Sequence, residues 1–153
     1  MYGTAAATAV LVVWAPAAHA DNSRLNNSVI ANVYTIQHQA GCSTNIRGNP
    51  ALVRAAQRDA DDLLANRDLA DGVGSDGSTA QSRAAAAGFT GRVAQTVAIN
   101  PALAINNLDV IQQWFADPAA HAIMADCANT AIGVWSENSL DRSVVVAVYG
   151  QPA

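Results

Sequence analysis

Ile132-Gly133-Val134-Trp135-Ser136-Glu137-Asn138-Ser139-Leu140-Asp141-Arg142-Ser143-Val144-Val145-Val146-Ala147-Val148-Tyr149-Gly150-Gln151-Pro152 ends the chain with two apolar, β-branched runs around the polar segment Ser136 to Arg142. Branched and aromatic side chains suit a pleated strand, and a short polar break between two such runs signals a β-hairpin. The chain is therefore expected to close on two antiparallel strands.

Upstream the period changes from strand to helix. Pro118 opens a helical turn or two that ends near Asp126, and Leu108, Ile111, Trp114 and Phe115 mark another helix. Val93, Val97 and Ile99 predict a short strand broken by Pro101. Ser78-Thr79-Ala80-Gln81 fits a capping box before an Ala-rich helix that stops at Gly88. Asp68 to Gly77 is a glycine-rich loop. Asn49 and Pro50 are an N-cap and a first helical residue. The helix they start has the inner stripe Leu52, Ala56, Ala60 and Leu63, with Arg54, Arg58, Asp61 and Asp62 on or near the other face. Cys42 to Gly48 is a polar loop. Leu25, Val29, Val33 and Ile36 define an amphipathic helix from about Ser23 to Ala40, ended by Gly41. Helices combined with antiparallel strands in this order imply an α+β fold with helices packed on a small sheet.

The 153 residues are 51% apolar, enough for a sizeable core. Eight Arg and no Lys stand against eleven Asp and one Glu, for a net charge of −4. Nucleic-acid binding needs a basic footprint and is disfavoured. Purely electrostatic attachment to anionic lipid is disfavoured for the same reason. Residues 1–20 read as a secretory leader: Ala5 to Ala15 is apolar but too short to span a bilayer, and Ala18-His19-Ala20 is a small-x-small cleavage site. Met1 to Thr4 carries no basic residue, so an uncleaved anchor or a buried helix is the competing reading. The mature chain, 21–153, would begin at Asp21, form one domain, and carry no transmembrane anchor. Cys42 and Cys127 are an even pair in an exported chain, which reads as one disulfide against the alternative of two buried thiols. Closing so long a loop stabilises by ~4–5 kcal/mol in the chain-entropy picture.

The ordered stretches Asn49-Pro50-Ala51-Leu52, Ala55-Ala56-Gln57, Ser75-Asp76-Gly77-Ser78, Arg83 with Ala87-Gly88-Phe89, Trp114 with Asp117-Pro118, Ile132-Gly133-Val134 and Val146-Ala147-Val148-Tyr149-Gly150-Gln151 make the chain resemble, from about Val29 to Pro152, a bacterial domain of the CAP superfamily (SCP or PR-1-like). The resemblance implies a three-layer α-β-α sandwich with a central cleft facing the sheet. In many members two His and one or two Glu meet in that cleft and can hold a divalent cation. The position of the His before Ser-Asp-Gly-Ser is here Gly72, the Glu of Gly-Glu-Asn-(Ile/Leu)-Ala is Gln95, and the His of Ser-Pro-Gly-His is Ala120. His121 follows one residue later, about 100° around a helix.

Gly and Ala offer no donor to a metal, and a neutral Gln amide is a poor substitute for a carboxylate towards a cation. Gln also cannot serve as a general base near neutral pH. The resemblance thus implies a lost cation site, no cofactor, and a cleft made less polar by the loss. Gln95 is expected to offer one neutral hydrogen-bonding group to a lipid-like ligand there.

Other candidates have plainer readings. His38 near a helix end can favour the helix dipole when protonated. Asp59, Asp61, Asp62, Asp68 and Asp71 lack the spacing of a calcium loop and read as a solvated helix face. Glu137 reads as a solvated carboxylate in the hairpin loop. Trp114, Phe115, Trp135 and Tyr149 read as core or sheet-face residues, or else as the lining of an apolar cleft. No Gly-x-Ser-x-Gly elbow or phosphate loop occurs. The expected function is a secreted or envelope CAP-like domain, non-enzymatic, binding a lipid-like ligand or an extracellular protein. The alternatives are a degenerate or metal-independent hydrolase or protease, and a structural or antigenic protein.

Overall fold

A computed structural model describes residues 11, 22–70, 72–101 and 104–153. Apart from Leu11, the leader 1–20 and the start at Asp21 lie outside the described residues, as does Asp71. The elements are α1 Ser23–Gln39, β1 Arg47–Gly48, α2 Pro50–Ala65, α3 Ala80–Ala86, β2 Gly91–Asn100, α4 Asn107–Ala116, α5 Pro118–Ala125, β3 Ala131–Asn138 and β4 Ser143–Pro152. Among the described residues no helix is long and apolar enough to cross a membrane.

The four strands form one sheet in the order β1-β3-β4-β2, with β1 parallel to β3 and the other pairs antiparallel. Because side chains alternate across a strand, β4 presents Val145, Ala147 and Tyr149 to one layer and Val144, Val146 and Val148 to the other. The first layer is α1, α4 and α5, packed through Val29, Val33, Trp114 and Met124. The second is α2 and α3, packed through Leu52, Ala56, Leu63 and Ala84. The fold is thus an α+β, three-layer α-β-α sandwich. A central strand covered on both faces must be apolar at every position, which accounts for the unbroken run Val144 to Tyr149. Burying each valine is worth about 1.5–3 kcal/mol.

Gly133 sets the spacing between α2 and β3. A Cβ there would lie 2.1 Å from the Leu52 carbonyl carbon and 2.1 Å from the Val53 nitrogen, so only glycine lets the helix settle this close. At the head of α2 the Asn49 side chain accepts from the Ala51 and Leu52 N–H groups, with Pro50 in the first turn. Cys42 and Cys127 are disulfide-bonded across 85 residues, tying the end of α1 to the segment between α5 and β3.

Several expectations are corrected. Strand β3 runs through Asn138, so the hairpin turn is only Ser139 to Arg142 and Glu137 belongs to the sheet. β2 is a ten-residue strand paired along its whole length with β4, not a short one. The polar loop after Cys42 contains β1, a two-residue strand too short for any periodic signal. The capping box on α3 is Thr79 with Ser82, one residue on from Ser78 and Gln81. Gln81 instead donates to the Gly91 carbonyl and accepts from the Val93 N–H, clamping α3 to β2. On α4 the inward pair is Val110 and Trp114, while Leu108 and Phe115 are 64% and 51% exposed.

Candidate functional site

The inner stripe of α2 contains a charge. Asp59 sits among Leu52, Ala56, Ala60 and Leu63, and its side chain is 3% exposed. An isolated carboxylate at such depth is strongly disfavoured, so it requires a partner. The partner is Arg83 of α3, 1% exposed, whose Nη2 lies 3.2 Å from Asp59 Oδ1. The same nitrogen donates to Gln95 Oε1 at 3.2 Å and to the Gly72 carbonyl at 3.4 Å. Nη1 donates to the Ser78 carbonyl at 3.0 Å and to Ser78 Oγ at 3.2 Å. Gln95 Nε2 closes the circuit by donating to Asp59 Oδ2 at 3.0 Å.

The chemistry explains the glutamine. Its amide oxygen faces the guanidinium and its amide N–H faces the carboxylate, so one neutral side chain satisfies both ions. A Glu at this position would set two carboxylates against one guanidinium and would have no N–H for Asp59. The fork geometry of Arg suits a cluster of oxygen acceptors better than the point charge of Lys. Arg83 Nε alone finds no partner among the described residues.

The loop from Gly72 to Ser78 is shaped to deliver these carbonyls. Gly72 has φ of +112°, a conformation that favours glycine. Asp62 accepts from the Ser75 N–H and hydroxyl, each at 2.7 Å, and the N–H bond is the main reason its carboxyl is held below the usual range. The Ser78 hydroxyl, then the Ser78 N–H and the Arg58 guanidinium, bond the Asp76 carboxylate and hold it well below the usual range. The loop is thereby fastened to α2 while Arg83 holds its inner edge.

Gly72 and Gln95 therefore meet around Arg83, on the α2–α3 side of the sheet. Ala120 and His121 do not join them. Gln95 is paired with Val148 and shares that residue's face, whereas Ala120 packs in the cluster with Tyr149 on the opposite face. His121 stacks on Phe115 at the outer side of α4 and α5, with ring centroids 4.2 Å apart. His38, in the last turn of α1, lies tilted against the Tyr34 ring and bonds Asn45 Oδ1.

The acidic residues of α2 are not one solvated face: Asp59 is buried and paired, Asp62 caps the loop, and Asp61 faces Glu137 of β3. Glu137 is not a solvated loop carboxylate, since Trp135 Nε1 donates to its Oε1 at 2.7 Å. Partial burial, then the hydrogen bond and charge of Glu137, raise the Asp61 carboxyl to about 6. Tyr149 is fully buried, its hydroxyl 2.9 Å from Thr96 Oγ1, and burial pushes the phenol pKa upward. Among the described residues, no group of three or more His, Cys, Asp or Glu is placed to hold a metal.

Sequence reasoning gives Arg83 no role and puts Asp59 on the surface. A signal exists: Asp59 falls in the spacing 52, 56, 59, 63, and Arg83 is the only charge in the Ala-rich α3.

No family model and no curated protein matches the chain by sequence. Solved structures do match it in shape. An outer surface protein from Borrelia burgdorferi is similar with a TM-score of 0.76 at 14% identity, over 89% of this chain and 98% of that one. An extracellular protein containing an SCP domain from Bacillus anthracis gives 0.71 at 10% identity, over 84% of this chain and 41% of that one. A cysteine-rich secretory protein from Staphylococcus aureus gives 0.66 at 11% identity, over 86% and 40%. The chain has the CAP superfamily fold.

Proposed function

We propose that this protein is a CAP-fold binding module of the cell exterior or envelope, without cation-dependent chemistry, that engages a protein partner through its surface. One observation carries the reading. Two of the three positions that the family resemblance assigns to a cation ligand, Gly72 and Gln95, are bound instead to the chain's own buried cation, Arg83. A guanidinium that already engages a carboxylate, an amide and a carbonyl puts a positive charge where a metal ion would sit and keeps Asp59 ion-paired, which supports a reading without a metal ion or a base at this site. It also sets a buried charge beside Gln95, where a lipid-like ligand would be expected, and this favours an extracellular protein over a lipid.

Export is supported by the leader-like residues 1–20 and by the disulfide, a bond that persists in oxidising compartments. The outer-surface and extracellular proteins that share the fold point the same way. The test is calorimetric titration of the exported protein with Zn²⁺ and Ca²⁺, with native mass spectrometry of what copurifies. No saturable micromolar cation binding and no copurifying lipid are expected. A one-to-one cation isotherm lost in Gln95→Ala, or a stoichiometric lipid adduct, overturns the reading.

A further inference from the structure

The molecule has a second buried arginine, and its surroundings are the reverse of those of Arg83. Arg142, at the end of the hairpin turn, is 8% exposed. Its only hydrogen bond among the described residues runs from Nη1 to the Arg67 carbonyl at 3.4 Å, at the long limit for such a bond. Nε is buried without a partner among the described residues. No carboxylate among the described residues is within ion-pair distance of it, whereas Arg83 has Asp59. A buried guanidinium ordinarily carries a counter-ion, because desolvating an unpaired charge is costly.

Arg142 also lines an open cavity of about 270 Å³, together with Arg67, Ile99, Asn100, Pro101 and Asp141. The rim supplies a second guanidinium, Arg67, held by Asp141. Both of these side chains are more than half exposed, so the pair is worth little and is readily exchanged. The Asn100 side-chain carbonyl oxygen already accepts from Gln113, which fixes that amide on the cavity wall. With a net charge of −4 the molecule as a whole does not attract anions, so recognition here must be local.

We propose that this cavity is an oxyanion site: a carboxylate or phosphate group of a small ligand enters beside Arg142, accepts from its guanidinium, and draws Arg67 away from Asp141. A planar or tetrahedral oxyanion matches the guanidinium fork, and such charge-assisted bonds are about twice as strong as neutral ones. The site lies at the hairpin-turn end of the sheet, and it stands or falls independently of the Arg83 cluster and of any protein partner.

The probes are inorganic phosphate and acetate, each titrated into the full-length exported protein at constant ionic strength with chloride as the reference. The readout is the amide signals of residues 99, 100, 141 and 142 and the Nε–Hε signals of Arg67 and Arg142 in two-dimensional NMR. Saturable shifts confined to these residues are expected, and the tighter of the two probes identifies the phosphate or carboxylate source. Arg142→Gln should weaken binding about tenfold or more, as expected for loss of a charged hydrogen-bond donor. Asp141→Asn leaves Arg142 in place, frees Arg67, and should tighten binding, so it tests the site even if Arg142→Gln folds poorly. Shifts equal to those in chloride, shifts retained in Arg142→Gln, or no tightening in Asp141→Asn would overturn the proposal.

Discussion

Replacing Arg83 with Met tests the buried cluster most directly. Met has a similar stem and fills much of the space, so the change removes mainly the guanidinium. Asp59, 3% exposed, then keeps the Gln95 amide but loses its ion pair with Arg83. Removing one partner of a buried pair costs about 3–5 kcal/mol, since the remaining charge keeps its desolvation penalty without its attraction. The carbonyls of Gly72 and Ser78 also lose their Arg83 donor, so the loop should loosen before the core does. Against a total stability of about 5–15 kcal/mol the loss is large. Urea unfolding at neutral pH measures it.

The double variant Arg83→Met/Asp59→Leu should recover most of the loss, because an apolar pair of similar volume is often no less stable than the ion pair it replaces. The single variant should also gain stability as the pH is lowered, since the orphaned carboxylate can escape its cost by taking up a proton. A single variant within about 1 kcal/mol of the unsubstituted protein, below the usual cost for such a pair, would refute the claim that Arg83 holds this site. So would a double variant no more stable than the single one.

Three other outcomes are expected. Gly133→Ala should cost about 3 kcal/mol or more in urea unfolding, the upper end for overpacking, because its Cβ meets the α2 backbone rather than a flexible side chain; a cost below about 1 kcal/mol would mean that α2 can move away. The Asp61 carboxyl is raised from 3.8 to about 6 in the folded protein, so the folded form holds a proton that the unfolded form releases. The resulting stabilisation is complete below the unfolded value and is lost as the pH rises through about 6. Asp61→Asn should flatten stability across that window, and an unchanged slope would assign it to another group. Intact-mass measurement of the exported protein should show a chain beginning at Asp21 and two hydrogens light for Cys42–Cys127; two alkylatable thiols without reduction would contradict the disulfide, and Cys42→Ala should cost about 2–5 kcal/mol.

The sequence alone carried the local structure. The helix starts at Asn49 and Pro118, the stop at Gly88, the α1 stripe and the closing hairpin are written in short-range periodicity and capping chemistry, which act within a few residues. The α+β class and the disulfide followed from the order of elements and from an even pair of cysteines in a chain that reads as exported. What failed locally was whatever depended on a distant neighbour. β1 exists because β3 offers it hydrogen bonds, and β2 is long because β4 pairs with all of it. Leu108 and Phe115 look like core residues until the packing of α4 turns Val110 and Trp114 inward.

The site was decided by tertiary structure almost entirely. Sequence showed that Gly72 and Gln95 are poorly suited to bind a cation, but it could not show that Arg83 already stands beside them. Asp59, Arg83 and Gln95 come from α2, α3 and β2, and their meaning as one buried ion pair with a bridging amide arises only when the sheet brings those elements together. A charge is costly or stabilising according to what surrounds it, and its surroundings are a property of the fold.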